Sequence, residues 1–548
     1  MNRALLVVLL AAAVGCTQGG SSDPGGDGSG GSDGGSTSTD GGAPQGGGGH
    51  DTGTGGDDSG TGGGIPGAPV PVDCTHVGQG TDYQVGPGKA YENIGDVPFE
   101  SLGAGDTVRI FYRAEPYHEK LMIGGVGTEA QPIRVCGVAG PNGELPIIDG
   151  ENATTRPQLD FPFTGHQPRG LIIIGHPNSQ PYALQPAHIT VEALEIRNAR
   201  SPLTFTDKSG GTMAYSAPAA GIFVQRGDDI TVRGCVIHDN NNGLFMGTSG
   251  GTDLSHRALI EANYIFDNGS PTDWFEHNVY NEVSDVTYQY NHFGPPKSGA
   301  GGVVLGNNIK ERSAGVTIRY NWIEDGGHLI DLVDAQEAQS DTVGMPSFHE
   351  SYVYGNILLR NGTDKGSMVH YGGDSGLYEN YRKGTLHFFQ NTVIVRNESA
   401  GSWNVPAAFE LSTNDEQLIS TNNVYWAPAA PGSETPVVML GARDKTISGV
   451  ASFDHDWIRT GWSPFNQIPG NANVHVAEVA GFPGGLGGTN PGFVDADAGD
   501  FSLAAGSPIV GQGTSLAGLP PITQQYVRHQ SSRPRADAQP TPGAMMAD

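Results

Sequence analysis

Residues able to do chemistry concentrate between Glu276 and Asp334. Three runs stand there: EHNVYNEVSDVTYQYNHF from Glu276, GGVVLGNNIKERSAGVTIRYNWIEDGG from Gly301, and HLIDLVD from His328. Aligning Asn291 with Asn321 sets Tyr280 level with Lys310, Asn278 with Asn308, and Glu282 with Arg312. With Val279 and Ile309 turned inward, period-two alternation sends Asn278, Tyr280, Asn308 and Lys310 to one outer face. The same frame carried through LIDL and MVHY adds Asp331 and then His370, and AFEL adds Glu410.

Such a row suits cleavage of a uronate polysaccharide by β-elimination. That reaction needs a base for the proton α to a carboxylate, cations or donors to neutralise the carboxylate, and an acid for the leaving oxygen. Lys310, its proton loosened by the neighbouring cation Arg312, is the candidate base. Tyr280 or His277 is the candidate acid, Asn278, Asn308 and His370 are candidate substrate-binding groups, and Asp331 is a candidate Ca²⁺ ligand. A plainer reading exists. Lys310–Asp331 and Glu282–Arg312 could be ordinary ion pairs between coils, worth about 0–1 kcal/mol each when exposed, with Tyr280 covering a coil edge. Hydrolysis by two carboxylates is a third option, but it needs a defined spacing, and sequence does not place Asp331 and Glu410 well enough.

These residues must be positioned by a repeat. HITVEALEIRN, DITVRGCVIHDNN, ALIEANYIFDN, VTYQYNHF, VTIRYNWIEDG, YVYGNILLRNG, LHFFQNTVIVRN and LISTNNVYW align on Leu194, Cys235, Asn263, Asn291, Asn321, Asn356, Asn391 and Asn423. Self-similarity at intervals of 20–50 residues signals a solenoid. Each unit alternates apolar and polar residues, and an Asn follows the strand where the chain bends. Stacked amides can satisfy backbone groups at every corner of a parallel β-solenoid. Leucine-rich repeats are shorter, and propeller blades need four strands in about 40–45 residues. Composition agrees: 85 of 548 residues are Gly, about twice the usual roughly 7%, which suits short strands and tight turns. With 29 Lys and Arg against 58 Asp and Glu, the net charge of −29 argues against nucleic acid, whose phosphates demand clustered cations.

The N-terminus reads as an export signal. Residues 1–16, MNRALLVVLLAAAVGC, hold one Arg and an apolar run too short to span a bilayer. Residues 17–72 are almost wholly Gly, Ser, Thr, Asp and Pro, and are expected to be a disordered tether. The all-β solenoid is expected over 73–515, with 516–548 a largely disordered tail. Cys235 occupies a ladder position, so a buried thiol is expected. Cys74 and Cys136 lie in the first coils, where export permits oxidation, although sequence leaves open whether they pair. Trp403, Trp426, Trp457 and Trp462 are expected in core or cap packing rather than stacked on sugars.

The motifs also carry resemblances. Ala13-Val14-Gly15-Cys16 resembles a bacterial lipobox, which implies a lipid on Cys16 and an exported protein anchored to the outer membrane or cell surface. The repeat, the opening GDTVRIFYRAEPYHEKLMIGG and the close DFSLAAGSPIVGQG resemble the right-handed parallel β-helix of the pectate-lyase-like superfamily over about residues 80–513. NNIKERSAGVTIRYNWI resembles the chondroitinase B and alginate lyase group, which implies that Lys310 is the base. Its pattern is closer to a group of bacterial β-helix proteins carrying H-N-x-Y, K-x-R-A, I-x-Y-N, I-D-L, G-N and Y-G, matched here by His277, Asn278, Tyr280, Lys310, Arg312, Asp331, Asn356 and Tyr371. The lyase group places an Arg where this chain has Leu329–Val333, so its mechanism does not transfer whole. The expectation is a monomeric surface protein that acts on an acidic polysaccharide or another glycan, a polysaccharide lyase if it is an enzyme. The alternative is a non-catalytic glycan-binding, structural or adhesive envelope lipoprotein. A membrane contact through the lipid alone is implied.

Overall fold

The computed structural model describes residues 71–546 apart from 162–163, 249–253, 362–365, 397–406, 429–436, 444, 466–473 and 536. Cys16, the expected tether up to residue 70 and Trp403 therefore lie outside the described residues. Three long sheets of 13, 14 and 11 strands run along the chain in near-sequential order. Successive coils contribute one strand to each sheet, and almost every pairing is parallel. The coil carrying Thr287–Gln289 and His292–Phe293, for example, pairs with the one carrying Thr317–Arg319 and Trp322–Glu324. The result is a parallel β-helix whose interior is one continuous apolar core from Val85 to Trp462.

The ladder forms as the repeat implies. Asn263, Asn291, Asn321, Asn356, Asn391 and Asn423 are all fully buried. Each backbone N–H donates to the side-chain oxygen of the next rung, as in Asn291 N to Asn321 Oδ1 at 3.0 Å and Asn321 N to Asn356 Oδ1 at 2.9 Å. The side-chain amides donate to the same oxygens and to bend carbonyls. The residue before each rung adopts a left-handed conformation: Ala262, Tyr290, Tyr320, Gln390 and Asn422 at φ between 53° and 59°, and Gly355 at 67°. That conformation costs a non-glycine residue about 1–2 kcal/mol, which the ladder bonds offset. Gly355 also lies under the Tyr320 ring, where a Cβ would meet Cδ1 at 2.6 Å.

Two features of the ladder are not visible in the repeat alignment. The stack ends on a carboxyl, because Asn423 N and Nδ2 donate to Asp456 Oδ1 at 2.7 and 2.9 Å. A second ladder runs through Asn240, Asn268, Asn278 and Asn308 and closes on the carbonyls of Glu324 and Asp325.

Cys74 and Cys136 form a disulfide across the first coils, and Cys235 is a buried free thiol pushed up to about 12 by burial. The C-terminal end of the expected solenoid and the expected tail both need correction. The last coil strand is Leu486–Gly488, while Phe493–Asp495 and Asp500–Leu503 form an antiparallel pair outside the coils. The tail is folded: Gln524–Val527 and Ser531–Pro534 make an antiparallel hairpin. Tyr526, Ala544 and Met545 pack with Trp322, Ile357, Val424, Trp426 and Trp457. The Arg and Pro content suggested solvation, but a few apolar residues suffice to cover the outer face of the third sheet, which those tryptophans make apolar. Trp462 lies in the main core.

Candidate functional site

The row predicted from register is present in the 14-stranded sheet. Tyr280 pairs with Lys310, Lys310 with Asp331, Asp331 with His370, and His370 with Glu410. Their strands are Val279–Asn281, Ile309–Glu311, Ile330–Leu332, Ser367–Tyr371 and Ala407–Leu411. Val279, Ile309, Ile330, Val369 and Phe409 beside them fill the interior, so alternation turns the row outward. Neighbouring strands lie about 4.8 Å apart, and the side chains meet.

The row is nonetheless covered, and Lys310 is only 7% exposed. Its Nζ lies 2.6 Å from Asp331 Oδ2 and also donates to Asp374 Oδ2. Arg312 reaches the other oxygen of Asp374 at 3.2 Å and the Asp334 carbonyl at 2.7 Å. Asn307 Nδ2 donates to Asp331 Oδ2 at 2.7 Å. His370 Nδ1 sits 2.7 Å from Asp331 Oδ1, and its Nε2 sits 2.9 Å from Ser412 Oγ and 3.7 Å from Glu410 Oε1. Glu410 is paired in turn with Arg443 at 3.3 Å. Burial alone would raise the Asp331 and Asp374 carboxyls, but Lys310 and its companion cations outweigh it and hold both well below the usual range. Burial likewise pulls the His370 imidazole down, and Glu410 and Asp331 more than restore it, leaving it above its ordinary value.

Several expected roles change on this geometry. Asn278 and Asn308 are not outward substrate ligands but fully buried rungs of the second ladder. They precede their strands, at the bend, where strand alternation does not apply. Lys310 does not stand free as the expected base: its Nζ is paired with two carboxylates, Asp331 and Asp374. His277 is not a leaving-group acid. Burial, and then the Lys310 charge, lower it to about 3, and its Nδ1 accepts the Asn307 backbone N–H at 3.0 Å. Tyr280 stays protonated, pushed up by burial and then by Glu282. It donates to Glu282 Oε1 at 3.1 Å and stacks on Phe245. Arg312 lies 5.8 Å over the Tyr280 ring rather than bridging to Glu282. The Glu282 carboxyl is raised by burial and by Glu337 beside it.

Asp374, Asp334, Asn307, Ser412 and Arg443 belong to the cluster although nothing in the repeat singles them out. All but Asn307 arrive on coil connections or later coils, which the strand frame does not reach. Beside the end of the row a cavity of about 620 Å³ is lined by Asp374, Tyr378, Tyr381, Ser412, Asn414 and Arg443, among others. Tyr378 is exposed there.

His328, Asp331 and His370 present donor atoms within 4.8 Å of one another, the reach of a metal ion. The donor set does not fit Ca²⁺, which takes six to eight oxygens. Both Asp331 oxygens are engaged by Lys310, Asn307 and His370, and the Lys310 ammonium already supplies the positive charge.

Residues 184–425 match the family model described as "Right handed beta helix region". Together with the coil geometry this defines the class by fold: the chain is a right-handed parallel β-helix protein. Among solved structures, alginate lyase from Paenibacillus sp. str. FPU-7 is similar at 10% identity, covering 72% of this chain and 93% of that one, with a TM-score of 0.31. Pectate lyase Pel9A is similar at 11% identity, covering 86% and 97%, with a TM-score of 0.40. A tailspike protein mutant of E. coli bacteriophage HK620 in complex with a pentasaccharide is similar at 11% identity, covering 73% and 58%, with a TM-score of 0.41. No curated protein sequence matches the chain.

Proposed function

We propose that the chain is a glycan-processing β-helix protein, lipid-anchored at Cys16 on the cell surface, that holds a polysaccharide in the cavity beside the end of the Tyr280–Glu410 row. The observation that carries this reading is the row's end. There an in-register line of titratable groups, Lys310, Asp331, His370 and Glu410, abuts a cavity walled by Tyr378, Tyr381 and Arg443. Aromatic rings and a guanidinium suit the faces and carboxylates of sugar rings. Within this reading β-elimination of a uronic-acid glycan assigns the base to His370, because its Nε2 meets Ser412 on the cavity wall whereas Lys310 is paired with its carboxylates.

A second reading, non-catalytic glycan binding, is favoured by one observation: the charges of Lys310, Arg312, Asp331 and Asp374 compensate one another internally. A panel of uronic-acid polysaccharides separates the two, with absorbance of the unsaturated product and affinity electrophoresis measured on the same samples. Cleavage that is lost in His370→Gln supports the lyase. Retardation without cleavage, weakened by Tyr378→Ala, supports the binding module. Absence of both cleavage and retardation overturns the glycan reading. Replacing Cys16 with Ser should move the protein from membrane to soluble fractions, and continued membrane partitioning would overturn the anchor.

A further inference from the structure

Ser412, His370 and Asp331 stand in a line of which elimination chemistry uses only His370. The Ser412 hydroxyl lies 2.9 Å from His370 Nε2, and His370 Nδ1 lies 2.7 Å from Asp331 Oδ1. Asp331 and His370 are almost wholly buried, whereas Ser412 is partly exposed and lines the cavity beside the row. We propose that Ser412 is a nucleophile for ester hydrolysis, with His370 as its general base and Asp331 as the positioning residue, and that the substrate is a short acyl ester on a sugar hydroxyl. This deepens the glycan reading, on which the sugar part of the substrate rests.

Roles rather than fold define such a constellation. Ser412 Oγ attacks the acyl carbonyl carbon, and its proton passes to His370 Nε2. The tetrahedral intermediate collapses with cleavage of the bond to the sugar oxygen, which leaves carrying the proton returned by His370. Water then attacks the acyl-serine ester, gives its proton to His370, and releases the carboxylic acid and the free hydroxyl of Ser412. Asp331 holds the imidazole with Nδ1–H directed at a carboxylate that Lys310 keeps ionised. The Gly373 backbone N–H donates to Ser412 Oγ at 3.0 Å and favours negative charge there. On the carbonyl side Arg443, which lines the cavity while paired with Glu410 at 3.3 Å, is the cation assigned to the oxyanion. The cavity, about 620 Å³, lies within the usual range for small-ligand sites and accommodates an acylated sugar unit against Tyr378 and Tyr381.

The resting serine has a second hydrogen-bond option, because its hydroxyl also reaches the Gly373 carbonyl at 2.9 Å. A protonated His370 leaves it there, and a neutral His370 takes its proton. The groups facing His370 are Asp331, Glu410, Lys310 through Asp331, Arg443 through Glu410, and the His328 ring at 5.2 Å. The two carboxylates favour the imidazolium, so turnover rises as pH rises through the imidazole's elevated value. Glu410→Gln removes one carboxylate and should shift that limb to lower pH.

The experiment treats the full-length protein with a fluorophosphonate probe and maps the adduct by mass spectrometry. Acetate release from p-nitrophenyl acetate and from O-acetylated polysaccharides is followed in parallel. Expected is labelling at Ser412, and loss of about 1,000-fold or more of kcat/KM in Ser412→Ala with an unchanged melting curve. His370→Asn should abolish labelling, while Glu410→Gln should move the acidic limb to lower pH. No adduct at Ser412, or acetate release undiminished in Ser412→Ala, overturns the proposal. Affinity electrophoresis on the deacetylated polymer reads the glycan reading separately. Binding retained without labelling sinks the esterase alone, and labelling without polymer binding sinks only the sugar assignment.

Discussion

Asp456 offers the sharpest test of the ladder's physics. It is fully buried, and it takes the place of an Asn as the last rung, accepting from Asn423 N and Nδ2 through Oδ1 while Oδ2 meets Ser420 Oγ at 2.7 Å. Burial raises its carboxyl, the bonds from Ser420 and Asn423 only partly offset this, and it comes to rest at about 7. The unfolded value is about 3.9. Between these values the folded chain holds a proton that the unfolded chain has lost. Stability from this group is therefore full below about pH 4 and is lost as pH rises through about 7. Each pH unit in that window costs about 1.4 kcal/mol, so the total is of order 4 kcal/mol. Asp456→Asn keeps the acceptor for Asn423 and supplies an amide donor toward Ser420 without a titrating proton. The difference in urea-unfolding free energy between Asp456→Asn and the parent, measured at pH 4.5, 6 and 8, cancels the other carboxyls. It should grow in favour of the amide by roughly 3–4 kcal/mol. A difference that stays flat across those pH values would refute the reasoning.

Other rungs and pairs give further outcomes. Asn321→Leu strands the Asn291 N–H and removes a donor from the carbonyls of Tyr288 and Arg319. It should cost about 3 kcal/mol, read by chemical denaturation. Lys310→Ala leaves Asp331 and Asp374 without their shared cation, and a loss of roughly 3–5 kcal/mol is expected. Unchanged stability would show that the outward row is solvated after all. Replacing both Cys74 and Cys136 with Ala opens a loop of 62 residues, worth about 4 kcal/mol by chain entropy. The loss should appear as faster hydrogen exchange in Ile133–Val138 ahead of later coils.

Much of this architecture is written locally. A rung of Asn every coil, period-two strands and a left-handed bend residue are properties of a few consecutive positions, so the ladder and the Tyr280–Lys310–Asp331–His370–Glu410 register are legible by counting. The same counting fails at bends, where alternation stops. That is why Asn278 and Asn308 read as outward when they are rungs. Asp456 escaped for a related reason: His455 before it has the left-handed bend conformation of the other rungs, but an acid does not resemble an Asn in an alignment.

What counting along strands cannot supply is whatever reaches the row from connections and distant coils. Asp374 lies 64 residues beyond Lys310, Ser412 lies 42 beyond His370, and Arg443 lies 33 beyond Glu410. Where each of these points is set by loop paths over the sheet, not by any period. Their arrival turns Lys310 from a candidate base into a clamped ammonium, and it gives His370 a serine partner. Side-chain type and strand register were thus determined by sequence alone. Protonation state, and with it the chemistry open to each group, was decided by the tertiary structure, because burial and neighbouring charge act through space.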